Sequence, residues 1–291
     1  PGCYGKLLGV PDSHHEVNAA QAAFPHAPVE AAKAWKEMIH RYLAGILGLV
    51  IAALAVLAIW PRRQAVIAPQ IFLVGLVLVQ AALGMLTVTW LLKPVIVTLH
   101  LLGGLTLVAL LVVQAQSHQS QMEPQAKVQV SVSTRWYIWI GLALLVIQVL
   151  SGGWVSTNYA VLACNTFPMC QNAWWPEMNF AQGFTLWREL GADGQGGVLT
   201  FQALTAIHYV HRLCAYVVFG YLGWLAWRLH LQAVSQTFVR VLTGLLLLQL
   251  LTGLSNVVLG WPLLAAVIHT GGAAALVATM VWFLNSSEVA H

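Results

Sequence analysis

The chain has 291 residues, of which 59% are hydrophobic and 8% charged, with a mean hydropathy of +0.76. Values so far from a soluble average make the bilayer the solvent for most of the chain and exclude an ordinary water-soluble enzyme. The formal charge of +4 is small and scattered, which excludes a nucleic-acid-binding surface.

A helix needs about 20 mostly apolar residues to cross the hydrocarbon core. Seven runs qualify, over residues 38–60, 70–91, 94–114, 136–156, 202–227, 241–260 and 263–284. None alternates with period two, which argues against a transmembrane barrel and for an all-α, polytopic helical bundle.

In chain order, the first run carries Glu37, His40 and Arg41, and a turn with Arg62 and Arg63 follows it. The second holds Gln80 and Gly84-Met-Leu-Thr-Val, and the third, after Lys93-Pro94, holds His100-Leu-Leu-Gly-Gly. A polar linker over 115–135 leads to the fourth run, which ends in Gln148-Val-Leu-Ser-Gly-Gly-Trp-Val-Ser-Thr-Asn. The long loop over 157–200 contains Cys164, Cys170 and an aromatic stretch from Trp174 to Trp187. The fifth run holds His208, His211-Arg212 and Cys214, the sixth Gln249 and Gly253, and the seventh His269-Thr-Gly-Gly.

These features repeat. His269 follows His100 by 169 residues, as Gln249 follows Gln80 and Gly253 follows Gly84, and His211 follows His40 by 171. The pattern predicts two pseudo-symmetric four-helix halves, an N-terminal half over 1–114 and a C-terminal half over 136–291, joined by a cytoplasmic linker over 115–135. The first half starts inside the loop that matches the cysteine loop, at Pro1-Gly-Cys3-Tyr-Gly, so seven helices of an expected eight are visible. Halves with an even number of helices are related by an axis along the membrane normal. At about 1.5 Å per residue, His100 lies roughly 9 Å beyond Pro94 and His269 roughly 10 Å beyond Pro262, which puts the imidazoles in one layer.

Orientation follows from the short connections. Arg62, Arg63, Lys127, Arg135, Arg228 and Arg240 fall on one side with the C-terminus, which is assigned to the cytoplasm. The exported side carries the Lys93 turn and the long loop, with Glu177, Glu189 and Asp193 against Arg188. Cys164 and Cys170, with five residues between them, lie where a disulfide forms and persists. Free thiols or a redox-active pair are the other readings, whereas Cys214, within a helix, reads as a small core residue.

One histidine in a membrane helix is as well explained by an interhelical hydrogen bond. Four at repeat-related positions point to function, and paired neutral imidazoles suit haem iron. Zinc fits less well, since no third or fourth ligand recurs with each pair. Arg41 and Arg212, each directly after such a histidine, are either snorkelling cations or partners of a haem propionate. Where the second half has His208, the first has Glu37, one turn before the histidine. A carboxylate beside a macrocycle can act as a base or stabilise developing positive charge; the plain reading is a charge pair with Lys33 or Lys36. His208 reads as a neighbour of the ligand rather than a ligand. His14, His15, His26, His118, His230 and His291 lie in polar segments or at ends, and the Trp174–Trp187 stretch reads as a membrane-surface anchor.

Taken together, Glu37-Met-Ile-His40-Arg41, Gly84-Met-Leu-Thr-Val, His100-Leu-Leu-Gly-Gly, Gly152-Gly-Trp-Val-Ser-Thr-Asn-Tyr-Ala with Cys164 and Cys170, and His269-Thr-Gly-Gly resemble the haem A synthase family, in matching order over nearly the whole chain. The resemblance implies an eight-helix membrane enzyme that oxidises a ring methyl of haem O to the formyl of haem A in two steps and supports cytochrome oxidase biogenesis; an oxidising outer face fits a bacterial cytoplasmic membrane best, with a mitochondrial inner membrane as the other reading. It implies His40 and His100 at the substrate iron, Glu37 serving the methyl oxidation, and His211 and His269 on a haem b cofactor, with the sites towards the outer face. Implied partners are haem O synthase, oxidase assembly factors, an electron partner and membrane lipid. Two other readings fit a two-haem bundle: a di-haem b-type electron carrier and a haem-delivery protein without chemistry.

Overall fold

A computed structural model describes residues 4, 9–24, 29–59, 64–90, 92–123, 126–187 and 198–290. Cys3, His26, Arg62, Arg63, Arg188, Glu189, Asp193 and His291, to which the sequence reading gave a place, lie outside the described residues.

The chain divides into two compact units, one over 1–91 with 191–195, the other over 92–190 with 196–291. The first contains α1 (His14–Ala23), α2 (Ala31–Ile59) and α3 (Gln64–Thr89). Ser13 caps α1 by accepting from the Glu16 amide at 3.2 Å. α2 and α3 pack side by side, close enough for a Cβ on Gly48 to meet Val77 at 3.3 Å. Tyr42 of α2 accepts from the Gly9 amide at 2.9 Å, and Met38 and Ala34 bury against Val10. The remaining faces of α2 expose Leu43, Leu49 and Leu57, as lipid solvation allows.

The second unit contains α4 (Pro94–Met122), β1 (Val128–Val130), α5 (Val132–Thr157), a 3-10 turn at Ala160–Leu162, α6 (Phe180–Gly183), α7 (Phe201–Leu231), α8 (Gln236–Val258), α9 (Leu263–Ser286) and β2 (Ser287–Val289). Pro94 opens α4 in the first helical turn, where its missing N–H costs nothing. The helices close a ring: α4 touches α5 and α9, α5 touches α7, α7 touches α8, and α8 touches α9. Its core is built from Ile138, Leu222, Leu225, Leu242, Met280 and Phe283, with Phe238 stacked on Phe283 at 4.0 Å.

One end of this unit is tied down by short strands and cations. β1 and β2 pair in parallel, Val128 opposite Ser287 and Val130 opposite Val289. Arg135 donates to the Ser287 carbonyl at 2.8 Å, and Arg228 lies 4.9 Å over the Tyr137 ring. Arg135, Arg228 and the C-terminal strand thus share the end that the charge pattern assigned to them. The opposite end carries the cysteine loop, with Lys93 4.5 Å over the Trp187 ring.

Among the described residues, six helices are long and apolar enough to cross a membrane: α2, α3, α4, α5, α8 and α9. The sequence reading counted a seventh. The corresponding helix, α7, has the length at 31 residues, but His208, His211, Arg212, Arg228 and His230 dilute its hydropathy. Two of those side chains, His208 and Arg212, are buried in protein. The compact units also divide the chain on a different principle from the repeat: α4, third helix of the expected N-terminal half, packs within the second unit. Packing groups helices by contact, whereas the repeat groups them by sequence.

Candidate functional site

The segment Gly152-Gly-Trp-Val-Ser-Thr-Asn ends α5 where α7, α4 and α6 approach it. A Cβ on Gly152 would stand 3.1 Å from Cε1 of His211, so its absence lets the imidazole of α7 lie directly on α5. A Cβ on Gly153 would meet Leu101 of α4 at 3.1 Å, so the second glycine admits that helix. The Trp154 indole donates to the Gly183 carbonyl at 2.9 Å and holds α6. Thr157 donates to the Gly153 carbonyl, and Asn158 closes the helix by donating to the Trp154 carbonyl at 2.8 Å.

His211 and His269 are held by the same device. Gln148 on α5 donates to the main-chain carbonyl of His211 at 3.3 Å, and Gln249 on α8 to that of His269 at 2.8 Å. Three residues further along each helix a hydroxyl meets the ring: Ser151 Oγ lies 2.8 Å from Nδ1 of His211, and Thr252 Oγ1 lies 2.9 Å from Nδ1 of His269. One residue beyond, Gly152 and Gly253 leave room for Cε1, at 3.1 and 3.2 Å from a hypothetical Cβ. The rings are near enough to interact electrostatically.

The hydroxyl contacts favour one tautomer. A hydroxyl has one proton and two lone pairs. Ser151 gives its proton to the Gln148 carbonyl at 2.8 Å, and Thr252 gives its proton to the Leu248 carbonyl at 2.7 Å. Each therefore faces its imidazole with a lone pair, so Nδ1 carries the hydrogen and Nε2 keeps its own lone pair. The Gln148 amide nitrogen lies 3.2 and 3.4 Å from the two nitrogens of the His211 ring. With Nδ1–H turned to Ser151, Nε2 is the ring nitrogen left to accept from this amide, so Gln148 is the group that a metal on Nε2 of His211 would displace. A neutral imidazole with Nδ1–H bonded and Nε2 bare is the form that binds a metal.

Above this pair sits the loop closed by the Cys164–Cys170 disulfide, the first of the readings offered for these cysteines. Arg212 is buried and spends its guanidinium on this loop, donating to the carbonyls of Thr166 at 2.7 Å, Met169 at 3.1 Å and Cys164 at 2.8 Å. His208, one turn before His211 and 4% exposed, accepts from the Cys164 amide at 3.3 Å. Gln171 bridges the Ala163 carbonyl and the Thr205 hydroxyl. The neighbouring aromatic stretch is open, with Trp174 and Trp175 exposed, although Tyr209 donates to the Trp174 carbonyl. Cys214 is a free, half-buried thiol rather than a core residue.

In the first unit, Glu37, His40 and Arg41 share one stretch of α2. Glu37 pairs with Arg41 across one turn, in place of Lys33 or Lys36, and both side chains remain partly exposed. His40 is exposed, and His100, on α4 of the second unit, is half-buried. Among the described residues, no three His, Cys, Asp or Glu side chains gather to hold a metal. The sequence reading used Gln249 and Gly253 only as markers of the repeat and passed over Ser151 and Thr252. The signal was present as a shared pattern, Gln148-x-x-Ser-Gly and Gln249-x-x-Thr-Gly.

Comparison with known proteins agrees in direction. A protein of Shewanella oneidensis named heme A synthase is 39% identical, over 99% of this chain and 88% of its own length. Proteins of the same name from Mesorhizobium japonicum and Nitrosomonas eutropha are each 28% identical, over 84% and 50% of this chain and 66% and 39% of their own lengths. The family described as cytochrome oxidase assembly protein, COX15-CtaA, matches residues 1–281, and the chain belongs to it.

Proposed function

We propose that this protein is a haem A synthase, an oxidoreductase that converts the ring methyl of haem O to the formyl group of haem A by two successive oxidations. The observation that carries the reading is the twin clamp on His211 and His269, a hydroxyl at Nδ1 of each ring that leaves Nε2 as the nitrogen for a metal. Paired neutral imidazoles suit haem iron, and we assign His211 and His269 as the residues that would hold a haem b cofactor. When bound, haem b supplies one-electron redox chemistry. Gln148 and Gln249 fix the helix register of the two ligands, and the disulfide loop held by Arg212 and His208 shields that end from water.

His40 and His100 are assigned to the iron of the substrate, haem O. Glu37 serves the methyl carbon, as a base or as a negative charge facing the positive charge that develops there, and Arg41 orients it through their ion pair. Arg212 gives three of its five N–H donors to main-chain carbonyls and keeps the others for a haem b propionate, whereas Arg41 keeps an exposed edge that can serve a substrate propionate. The protein works in the bacterial inner membrane with both sites towards the outer face, between a haem O synthase that supplies its substrate and the oxidase that receives its product.

The test is to purify the protein in detergent, extract its non-covalent haems with acidified solvent and identify them by mass. Haem b together with haem O, haem A or a hydroxylated intermediate is expected. Haem b alone at two per chain would replace this reading with an electron carrier, and haem O that exchanges without ever changing mass would replace it with a delivery protein.

A further inference from the structure

Ser151 and Thr252 sit inside transmembrane helices, where a hydroxyl lowers helix propensity and competes for main-chain carbonyls. The fold does not require one there. The repeat places Leu83, in Gln80-Ala-Ala-Leu83-Gly84, at the position of Thr252 in Gln249-Leu-Leu-Thr252-Gly253, and α3 is helical through it. Yet both helices that face His211 and His269 carry a hydroxyl at this position, and both hydroxyls meet Nδ1.

We propose that Ser151 and Thr252 are positioning residues that tune the electron donation of His211 and His269 and thereby set the potential of the haem they hold; this rests on the assignment of those histidines as haem b ligands. Each ring begins the same relay: Nδ1–H donates to the hydroxyl oxygen, and the hydroxyl donates to a helix carbonyl, of Gln148 for Ser151 and of Leu248 for Thr252. A hydroxyl that is itself donating is polarised and accepts more strongly. Drawing on Nδ1–H moves electron density to Nε2 and makes it the better donor to iron. The more strongly donating ligand favours the ferric over the ferrous state, so two such relays lower the potential and tighten the hold on the cofactor. The Gln249 amide fixes the backbone of His269, whereas the Gln148 amide also lies 3.2 and 3.4 Å from the His211 ring nitrogens, so Thr252 reports the hydroxyl relay alone.

The experiment uses the full chain, purified with its haem, and reads the midpoint potential by spectroelectrochemical titration and the low-spin ferric signal by electron paramagnetic resonance. Ser151→Ala and Thr252→Val are each expected to raise the potential, change the spread of g values and speed haem loss about tenfold or more. Ser151→Thr and Thr252→Ser keep the hydroxyl and are expected to retain the wild-type potential, which separates the hydrogen bond from packing. Potentials and g values of Ser151→Ala and Thr252→Val equal to wild type would overturn the proposal while leaving the ligand assignment intact. The wild-type protein offers a reading that needs no variant: with labelled histidine and reduced, diamagnetic haem, both Nδ1–H protons are expected downfield and slow to exchange. Rapid exchange at both would also overturn it. Haem b retained with an unchanged spectrum in both His211→Ala and His269→Ala would instead remove the ligand assignment itself.

Discussion

The guanidinium of Arg212 donates to the carbonyl of Cys164 at 2.8 Å, tying the residue after His211 to one end of the disulfide. With the carbonyls of Thr166 and Met169 also engaged, this arginine anchors the disulfide loop at three points. Arg212→Ala leaves three carbonyls unpaired and is expected to cost on the order of 3 kcal/mol. Arg212→Lys is expected to rescue little, because one ammonium cannot reproduce the planar fork. Thermal unfolding in detergent, with proteolysis of the loop as a second reading, checks this; an Arg212→Lys protein as stable as wild type would refute it.

The Cys164–Cys170 bridge closes a short loop. Replacing both cysteines by serine is expected to cost about 2 kcal/mol from the greater freedom of the unfolded chain. The Arg212 and His208 contacts survive that change, so the loop should keep its place at low temperature and release it earlier on heating. Equal melting of the reduced and oxidised wild-type protein would argue against a stabilising bridge.

Glu37 and Arg41 form an ion pair across one turn of α2. A pair so exposed contributes at most about 1 kcal/mol, so Glu37→Ala is expected to leave folding and haem b content unchanged. Conversion of haem O should fall by at least a hundredfold if the carboxylate serves the methyl oxidation. Glu37→Gln, which keeps the shape and removes the charge, should be equally impaired. Product formation at the wild-type rate in either variant would strip Glu37 of the role.

Gly152 and Gly253 each face the Cε1 atom of a histidine across a gap that a methyl group would fill. Gly152→Ala and Gly253→Ala gain about 1 kcal/mol of helix propensity, yet each forces an imidazole to shift by a few tenths of an ångström. The expected outcome is a protein at least as helical as wild type that loses haem b during purification. Circular dichroism and the haem-to-protein ratio measure the two effects separately, and full haem retention in both variants would show that the rings have room to move.

Much of this molecule is readable in one dimension. The positions of the membrane helices and the clustering of Arg135 and Arg228 at one end follow from hydropathy and charge, each a local property of the chain. The pairing of Cys164 with Cys170 was also legible, because few residues separate them and the charge pattern assigns their loop to the exported side. What the tertiary structure alone decided is partnership. Arg212 reads equally well as a propionate ligand or a snorkelling cation until the loop folds back and presents three carbonyls. Glu37 has cations at 33, 36 and 41 along the helix, and it pairs with Arg41. Ser151 and Thr252 are unremarked hydroxyls on α5 and α8 until α7 and α9 bring a histidine to each. A polar side chain in lipid must find its partner inside the protein, and which partner it finds depends on the neighbouring helices rather than on its own stretch of sequence.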